Sequence, residues 1–199
     1  MTIGILAFGS IIEEPGEELA ASQVDRIDGV ETPFAVEFAR ESTTRDGAPT
    51  LVPVTAGGAK IPGAVLVLDR SINEDAARDM LYRREFRKIG QPVRYGQGPR
   101  GCIKDIRDFA GVDLCIFTAL AANIEPLTAE RLAKLAIQSA AAPAGSRRHD
   151  GISYLQEQRR RGITTPLMRA YVTEILRKTG GSGLSDAWIR ARNQAQPQS

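Results

Sequence analysis

The sequence predicts an α+β fold, one compact sheet or barrel with helices packed outside it. Strand-like apolar runs crowd residues 3–69, one helical segment and a further strand pair follow, and from Thr128 onward the signals are helical. With 199 residues, 42% of them hydrophobic and 25% charged, the chain suffices for one domain with its own core.

Residues 3–8 (Ile-Gly-Ile-Leu-Ala-Phe) form an uninterrupted apolar run, the pattern of a central strand, ending at Gly9-Ser10. Residues 33–40 alternate, with Phe34, Val36 and Phe38 on one face and Ala35, Glu37 and Ala39 on the other, which predicts a half-buried strand. Thr50–Thr55 and Ala64–Asp69 are two further strands, joined by a Gly57-Gly58 turn and broken by Pro62-Gly63. Ser71 and Glu74 have the spacing of a capping box, predicting a helix that runs to about Lys88. Residues 112–119 make another strand, and its expected partner is the segment near Cys102–Ile106.

Helices dominate the remainder. One should start near Thr128 and cover Ala129–Ser139, before a linker loop at Ala140–Gly151. Two more are expected over Ile152–Arg161 and Pro166–Lys178, with Pro166 in the first turn. The glycines of Gly180-Gly181-Ser182-Gly183 mark the expected domain boundary. This gives one domain over residues 1–179 and a polar, mobile tail over 180–199, with Trp188 and Ile189 as the residues able to dock.

Composition restricts the chemistry. A net charge of +2 is too small to indicate nucleic-acid binding, and the runs Arg147–Arg148 and Arg159–Arg161 lack an aromatic stacking platform. They read as solvated helix faces or loops. No apolar stretch approaches the roughly 18 residues of a membrane span, and the N-terminus lacks a basic leader region. Cys102 and Cys115 have no metal-site spacing and fall in strand-like segments, as buried thiols do, so a reducing cytoplasmic location is expected. With His149 as the single histidine, histidine triads and multi-histidine metal sites are nearly excluded. Carboxylates and hydroxyls remain.

Three segments are candidates. A strand ending in Phe8-Gly9-Ser10-Ile11 can turn backbone N–H groups outward into an anion-binding nest, or can be a simple turn. Ala77, Leu81 and Glu85 are spaced by four, placing a carboxylate on the apolar face of the helix. Desolvation of such a group suits general acid–base work; the alternative is a helix-end glutamate paired with Arg84 or Lys88. The third segment, Arg40 to Gly47, holds Ser42 and Arg45 and otherwise reads as a polar hairpin loop turning at Asp46-Gly47.

In their order and spacing these segments resemble the γ-glutamylcyclotransferase family, and most of all its ChaC-type enzymes. The likeness spans about residues 3–178: Phe8-Gly9-Ser10 after the first strand, Ser42-Thr43-Thr44-Arg45-Asp46-Gly47, Ile61-Pro62-Gly63-Ala64-Val65, Leu81-Tyr82-Arg83-Arg84-Glu85, Gly151-Ile152-Ser153-Tyr154-Leu155 and Gly162-Ile163-Thr164-Thr165-Pro166-Leu167. The chain departs from the family at Phe8, where a Tyr is usual, and in having a residue between Arg45 and Gly47.

The resemblance implies a small mixed β-barrel or sheet ringed by helices. It further implies that Phe8, Gly9, Ser10 and Ile11, with Ser42 and Arg45, bind the carboxylate and amine end of a γ-glutamyl group. Glu85 would be the acid and base that cyclises that group to 5-oxoproline and releases a peptide or amine, glutathione being one candidate substrate. No metal or organic cofactor is implied, and neither a nucleic acid nor a membrane; a homodimer is the candidate assembly. Two other readings compete: a non-catalytic small-ligand-binding relative that keeps the pocket, and an interaction protein that uses the basic helices and tail.

Overall fold

Strand β1 (Ile3–Ala7) has the burial that its apolar run demands, with all five residues shielded. The computed structural model that shows this describes residues 1–97 and 101–194. The chain divides into two compact units that alternate along the sequence: Met1–Pro33 with Lys60–Leu120, and Phe34–Ala59 with Ala121 onward.

In the first unit, β1 lies between β5 (Pro62–Leu68), antiparallel to it, and β7 (Val112–Thr118), parallel to it. β2 (Gln23–Glu31) pairs with β5, and β6 (Ile103–Phe109) pairs antiparallel with β7, giving the order β2-β5-β1-β7-β6. Among the described residues the sheet is open, with nothing joining its outer strands β2 and β6, so the barrel alternative does not hold. The expected β6–β7 pair is present, turning at Ala110-Gly111 with φ 51° and 82°, the conformation of a tight two-residue hairpin. Pro62-Gly63 opens β5 instead of breaking it. A short helix, α1 (Glu17–Ser22), precedes β2.

Helix α2 (Glu74–Glu85) packs Ala77, Met80, Leu81 and Tyr82 into the core with Ile5, Leu66, Leu114 and Ile116. Its cap is Asn73, whose side chain accepts from the Ala76 N–H at 2.9 Å; Ser71 instead bonds Asp69 through both its N–H and its hydroxyl. It also ends three residues earlier than expected. Arg87 takes a left-handed φ of 52°, and the Arg87 and Lys88 N–H groups return to the carbonyls of Arg84 and Arg83. That is a Schellman stop, usually signalled by glycine, which this sequence lacks there.

The second unit contains the hairpin β3 (Val36–Ser42) and β4 (Ala48–Pro53), a two-stranded sheet. β4 and β5 therefore belong to different sheets, and Gly57-Gly58 does not join them as neighbours. The half-buried reading of β3 is also corrected, since Val36, Glu37, Phe38 and Ala39 are all fully buried. Phe38 meets Tyr154 and Tyr171 edge-on, at 6.1 and 5.6 Å. Glu37 is satisfied by protein donors in place of water: Thr165 Oγ1 at 2.6 Å, the Phe38 N–H at 2.9 Å and the Leu167 N–H at 3.1 Å.

Five helices complete this unit: α3 (Ala129–Ala141), α4 (Pro143–Ser146), α5 (Gly151–Arg160), α6 (Met168–Thr179) and α7 (Leu184–Gln194). α3 is capped by Thr128, as the sequence indicates, and packs against α5, α6 and α7. α4 occupies part of the expected linker, and Pro166 falls just before α6. At Gly151 a Cβ would lie 2.8 Å from the Ala136 Cα, so the α3–α5 approach needs a glycine there.

The expected mobile tail is corrected over its helical part. Leu184, Ala187 and Ala191 of α7 are buried, and Gly180, at φ 67°, caps α6. Residues 195–199 of that expected tail lie outside the described residues. Arg148 lies over the Trp188 ring, 3.4 Å from its centroid, while Arg160 and Arg161 pair with Glu157. Among the described residues no helix is long and apolar enough to cross a membrane.

Candidate functional site

The turn after β1 begins at Phe8, extended at φ −143° and ψ 160°, and continues as a single helical turn over Gly9–Ile12. Gly9 has φ 60°, a left-handed conformation that glycine adopts without the cost of a Cβ. A left-handed residue followed by helical ones aims successive N–H groups to one side, the geometry of an anion nest. Phe8 and Ile11 are 6% and 4% exposed, and Ile11 belongs to the core cluster, so both anchor the turn by packing. Only Ser10, half-buried, offers a side-chain polar group.

Glu85 closes α2, one turn beyond Leu81 and two beyond Ala77, both fully buried. Its side chain is 13% exposed. The neighbouring Arg84 links it to the first turn. Arg84 Nη1 donates to Glu85 Oε1 at 2.5 Å, and Nη2 donates to Ser10 Oγ at 3.2 Å. Nε and Nη2 also donate to the Glu14 carbonyl, at 2.9 and 2.7 Å. One guanidinium thus holds the turn and the helix-end carboxylate together in the first unit.

The sequence offered Arg84 as the partner of a helix-end Glu85, and that pair is present; its link to Ser10 was not foreseen. The signal was the doublet Arg83-Arg84, whose two members serve different ends. Arg83 forms a bidentate pair with Glu18 of α1, at 2.6 Å for Nη2, and donates to the Val93 carbonyl. Burial works to raise the Glu18 pKa, but the Arg83 hydrogen bond, the Gly90 N–H and the Arg83 charge hold it below the ordinary carboxylate value.

Cys102, buried beside the start of β6, is sensitive to the same carboxylate. Its thiol pKa is raised chiefly by burial, against the opposing effect of its own backbone hydrogen bond, and the Glu85 charge raises it further. Burial pushes Cys115 up to about 12. Neither cysteine is in a disulfide.

Ser42 and Arg45 belong to the second unit. The Ser42 hydroxyl pairs with that of Thr44 at 3.2 Å. Arg45 lies over the Tyr154 ring, 4.2 Å from its centroid, and its Nη1 donates to Thr50 Oγ1 at 3.3 Å. The hairpin turns at Asp46 and Gly47, with φ 49° and 78°, and Asp46 Oδ2 accepts from the Ala144 N–H at 2.7 Å. Ser42, Arg45 and Asp46 have these partners within their own unit. Among the described residues no group of three or more His, Cys, Asp or Glu side chains is arranged to hold a metal.

No family model, curated protein or solved structure matches this chain.

Proposed function

We propose that this chain is a γ-glutamylcyclotransferase-type enzyme that cyclises the γ-glutamyl group of a small peptide or amine, with Glu85 as the general acid and base. The observation that carries the reading is the Arg84 bridge. A shielded carboxylate and the glycine turn after β1, which the resemblance pairs in one site, share a single guanidinium.

The nest at Gly9–Ile12 receives the α-carboxylate of the glutamyl group, and the Ser10 hydroxyl adds one polar contact. The α-amine, in its neutral form, attacks the γ-carbonyl carbon of the same residue. A nitrogen–carbon bond forms within the new five-membered ring as the γ-amide bond breaks. Glu85 takes the proton from the attacking nitrogen and returns it to the leaving nitrogen, ending as it began. No electron is exchanged, and the ring closure draws on the high effective molarity of a correctly folded chain. Arg84 orients the carboxylate before substrate arrives. The step as written uses first-unit residues; Ser42 and Arg45, which the resemblance assigns to glutamyl binding, belong to the second unit.

A second reading, a ligand-binding relative without turnover, is favoured by the same guanidinium. Arg84 already has three acceptors, as a purely structural clamp between α2 and the first turn would. Phe8 also lacks the hydroxyl usual at this position in the family. Incubation of the protein with a panel of γ-glutamyl peptides and amines, including glutathione, separates the two. Release of 5-oxoproline supports the enzyme, whereas saturable binding with no 5-oxoproline supports the ligand-binding relative.

A further inference from the structure

Two strands end the first unit's sheet, and their outer edges differ. The β2 ladder shifts register between Gln23 and Asp25 and again between Ile27 and Val30, with Gly29 at φ 73°. Such bulges turn an edge away from further pairing. β6 has no shift from Ile103 to Arg107, its residues facing Thr118 to Leu114 in unbroken succession. Among the described residues no strand continues the sheet beyond β6.

Hydrogen-bond parity fixes which backbone groups of β6 face outward. The Cys102 carbonyl accepts from the Ala119 N–H at 2.7 Å, so Cys102, Lys104 and Ile106 turn toward β7. Ile103, Asp105 and Arg107 turn away from it, and the Ile103 carbonyl accordingly accepts from the Tyr95 hydroxyl at 3.3 Å. Among the described residues no backbone hydrogen bond reaches the outward groups of Asp105 and Arg107.

We propose that β6 is the seam of a homodimer, two copies pairing antiparallel about a two-fold axis through Ile106 to give one continuous sheet. The sequence of the edge, Asp105-Ile106-Arg107, is self-complementary in that register. Asp105 faces Arg107 of the other copy, while the two half-buried Ile106 side chains meet on the axis. The parity agrees: Asp105 and Arg107 form the hydrogen-bonded pairs, and Ile106 forms the non-hydrogen-bonded pair, where side chains approach most closely. Asp105 also accepts from Arg78 Nη2 at 2.7 Å, so its carboxylate would lie between two guanidinium groups.

Backbone parity excludes every odd slip, and like charges oppose the nearest registers. A slip of one residue sets Lys104 against Arg107 in one direction and Asp105 against Asp108 in the other. A slip of two sets Asp105 or Arg107 against itself on the axis. A parallel, in-register pairing would stack every charge on its like. Charged edge strands usually repel a partner; this order of charges favours a second copy in one alignment. Asp108, with φ 52°, ends the regular pleat, confining the backbone ladder to Asp105 and Arg107 of each copy.

Sedimentation equilibrium of the full chain at micromolar concentration tests the proposal, which does not depend on the proposed activity. Wild type should have twice the chain mass. Ile106→Lys and Ile106→Glu should each be monomeric, with an unchanged circular dichroism spectrum, and a one-to-one mixture of the two should recover the dimer. Ile106→Cys should oxidise to a disulfide-linked dimer across the axis, and Arg107→Cys, facing Asp105, should not. If the Lys and Glu variants lose the fold, the two cysteine variants decide the matter. A monomeric wild type, a dimer that persists in folded Ile106→Lys, or equal cross-linking at positions 106 and 107 would overturn it.

Discussion

Trp188 donates its indole N–H to Asp150 Oδ2 at 3.0 Å, tying the last helix to the carboxylate that caps α5. Asp150 is fully buried, and its other oxygen accepts from the Ile152 and Ser153 N–H groups at 2.9 and 3.0 Å. The polar tail read from the sequence is thus largely a helix held by an interior acid. Removing residues after Lys178 should lower stability, because burial of Leu184 alone contributes about 1.5–3 kcal/mol. Asp150→Ala should cost about 1–2 kcal/mol through the lost cap, and more if the indole N–H is left without a partner. Urea unfolding of both variants measures these losses; a truncated protein as stable as the full chain would refute the packing role of α7.

Gly9→Val is expected to damage the first turn. A β-branched side chain is strained at φ 60°, at a cost on the order of 1–3 kcal/mol. The turn should then relax out of the nest geometry. Binding of a γ-glutamyl ligand, measured by calorimetry, should fall at least tenfold in a protein that remains folded.

Acid should weaken the attachment of α1 to α2. Glu18 has a folded pKa below its unfolded one, so its pair with Arg83 stabilises fully above the unfolded value of about 4.3. That contribution is lost as pH falls through the folded pKa. The group is partly exposed, so the effect should be at most about 1 kcal/mol. Urea titrations of wild type and Glu18→Gln should therefore differ most at neutral pH and converge as pH falls through the folded Glu18 pKa.

The Cys102 thiol reports on the Glu85 charge. Because the negative charge raises the thiol pKa, Glu85→Gln should lower it while leaving Cys115 unchanged. Carbon-13 titration of the Cys102 side chain in both proteins measures the shift. A Cys102 value unmoved by the substitution would mean that the carboxylate is directed elsewhere.

Much of the first unit was legible because its signals are local. The run at Ile3–Ala7, short and ending at Gly9-Ser10, reads as a central strand, and the β6–β7 pairing follows from two strand-like segments flanking a tight turn. What the sequence hid depends on distant partners or on unusual backbone. Glu37 looked like the polar face of β3, yet Thr165 and Leu167, far along the chain, satisfy it in the interior. β2 escaped notice because an exposed edge strand carries few apolar residues. The stop of α2 was missed because an arginine fills the left-handed position.

The glycines before α7 misled for a related reason: Gly180 caps α6, and a Cβ at Gly181 would come within 2.8 Å of the Ala187 nitrogen, so they serve packing and not freedom. Spacing placed Glu85 at the apolar end of α2 and named Arg84 as one partner for it, which the structure contains. The other half of the bridge was hidden, since nothing in the sequence told which arginine of the doublet would turn toward Ser10.

The most direct test is the rate of 5-oxoproline formation by Glu85→Gln beside wild type, on whichever γ-glutamyl compound the panel shows to be turned over. Glutamine keeps the size and can still accept from Arg84, but cannot take up and return a proton. Arg84 keeps its Glu14 and Ser10 acceptors in the variant, so the protein should remain folded, which circular dichroism checks. Turnover should fall by about a hundredfold or more, the usual scale for a general acid–base group. A folded Glu85→Gln protein that forms 5-oxoproline at the wild-type rate would contradict the assignment of Glu85 as the catalytic carboxylate.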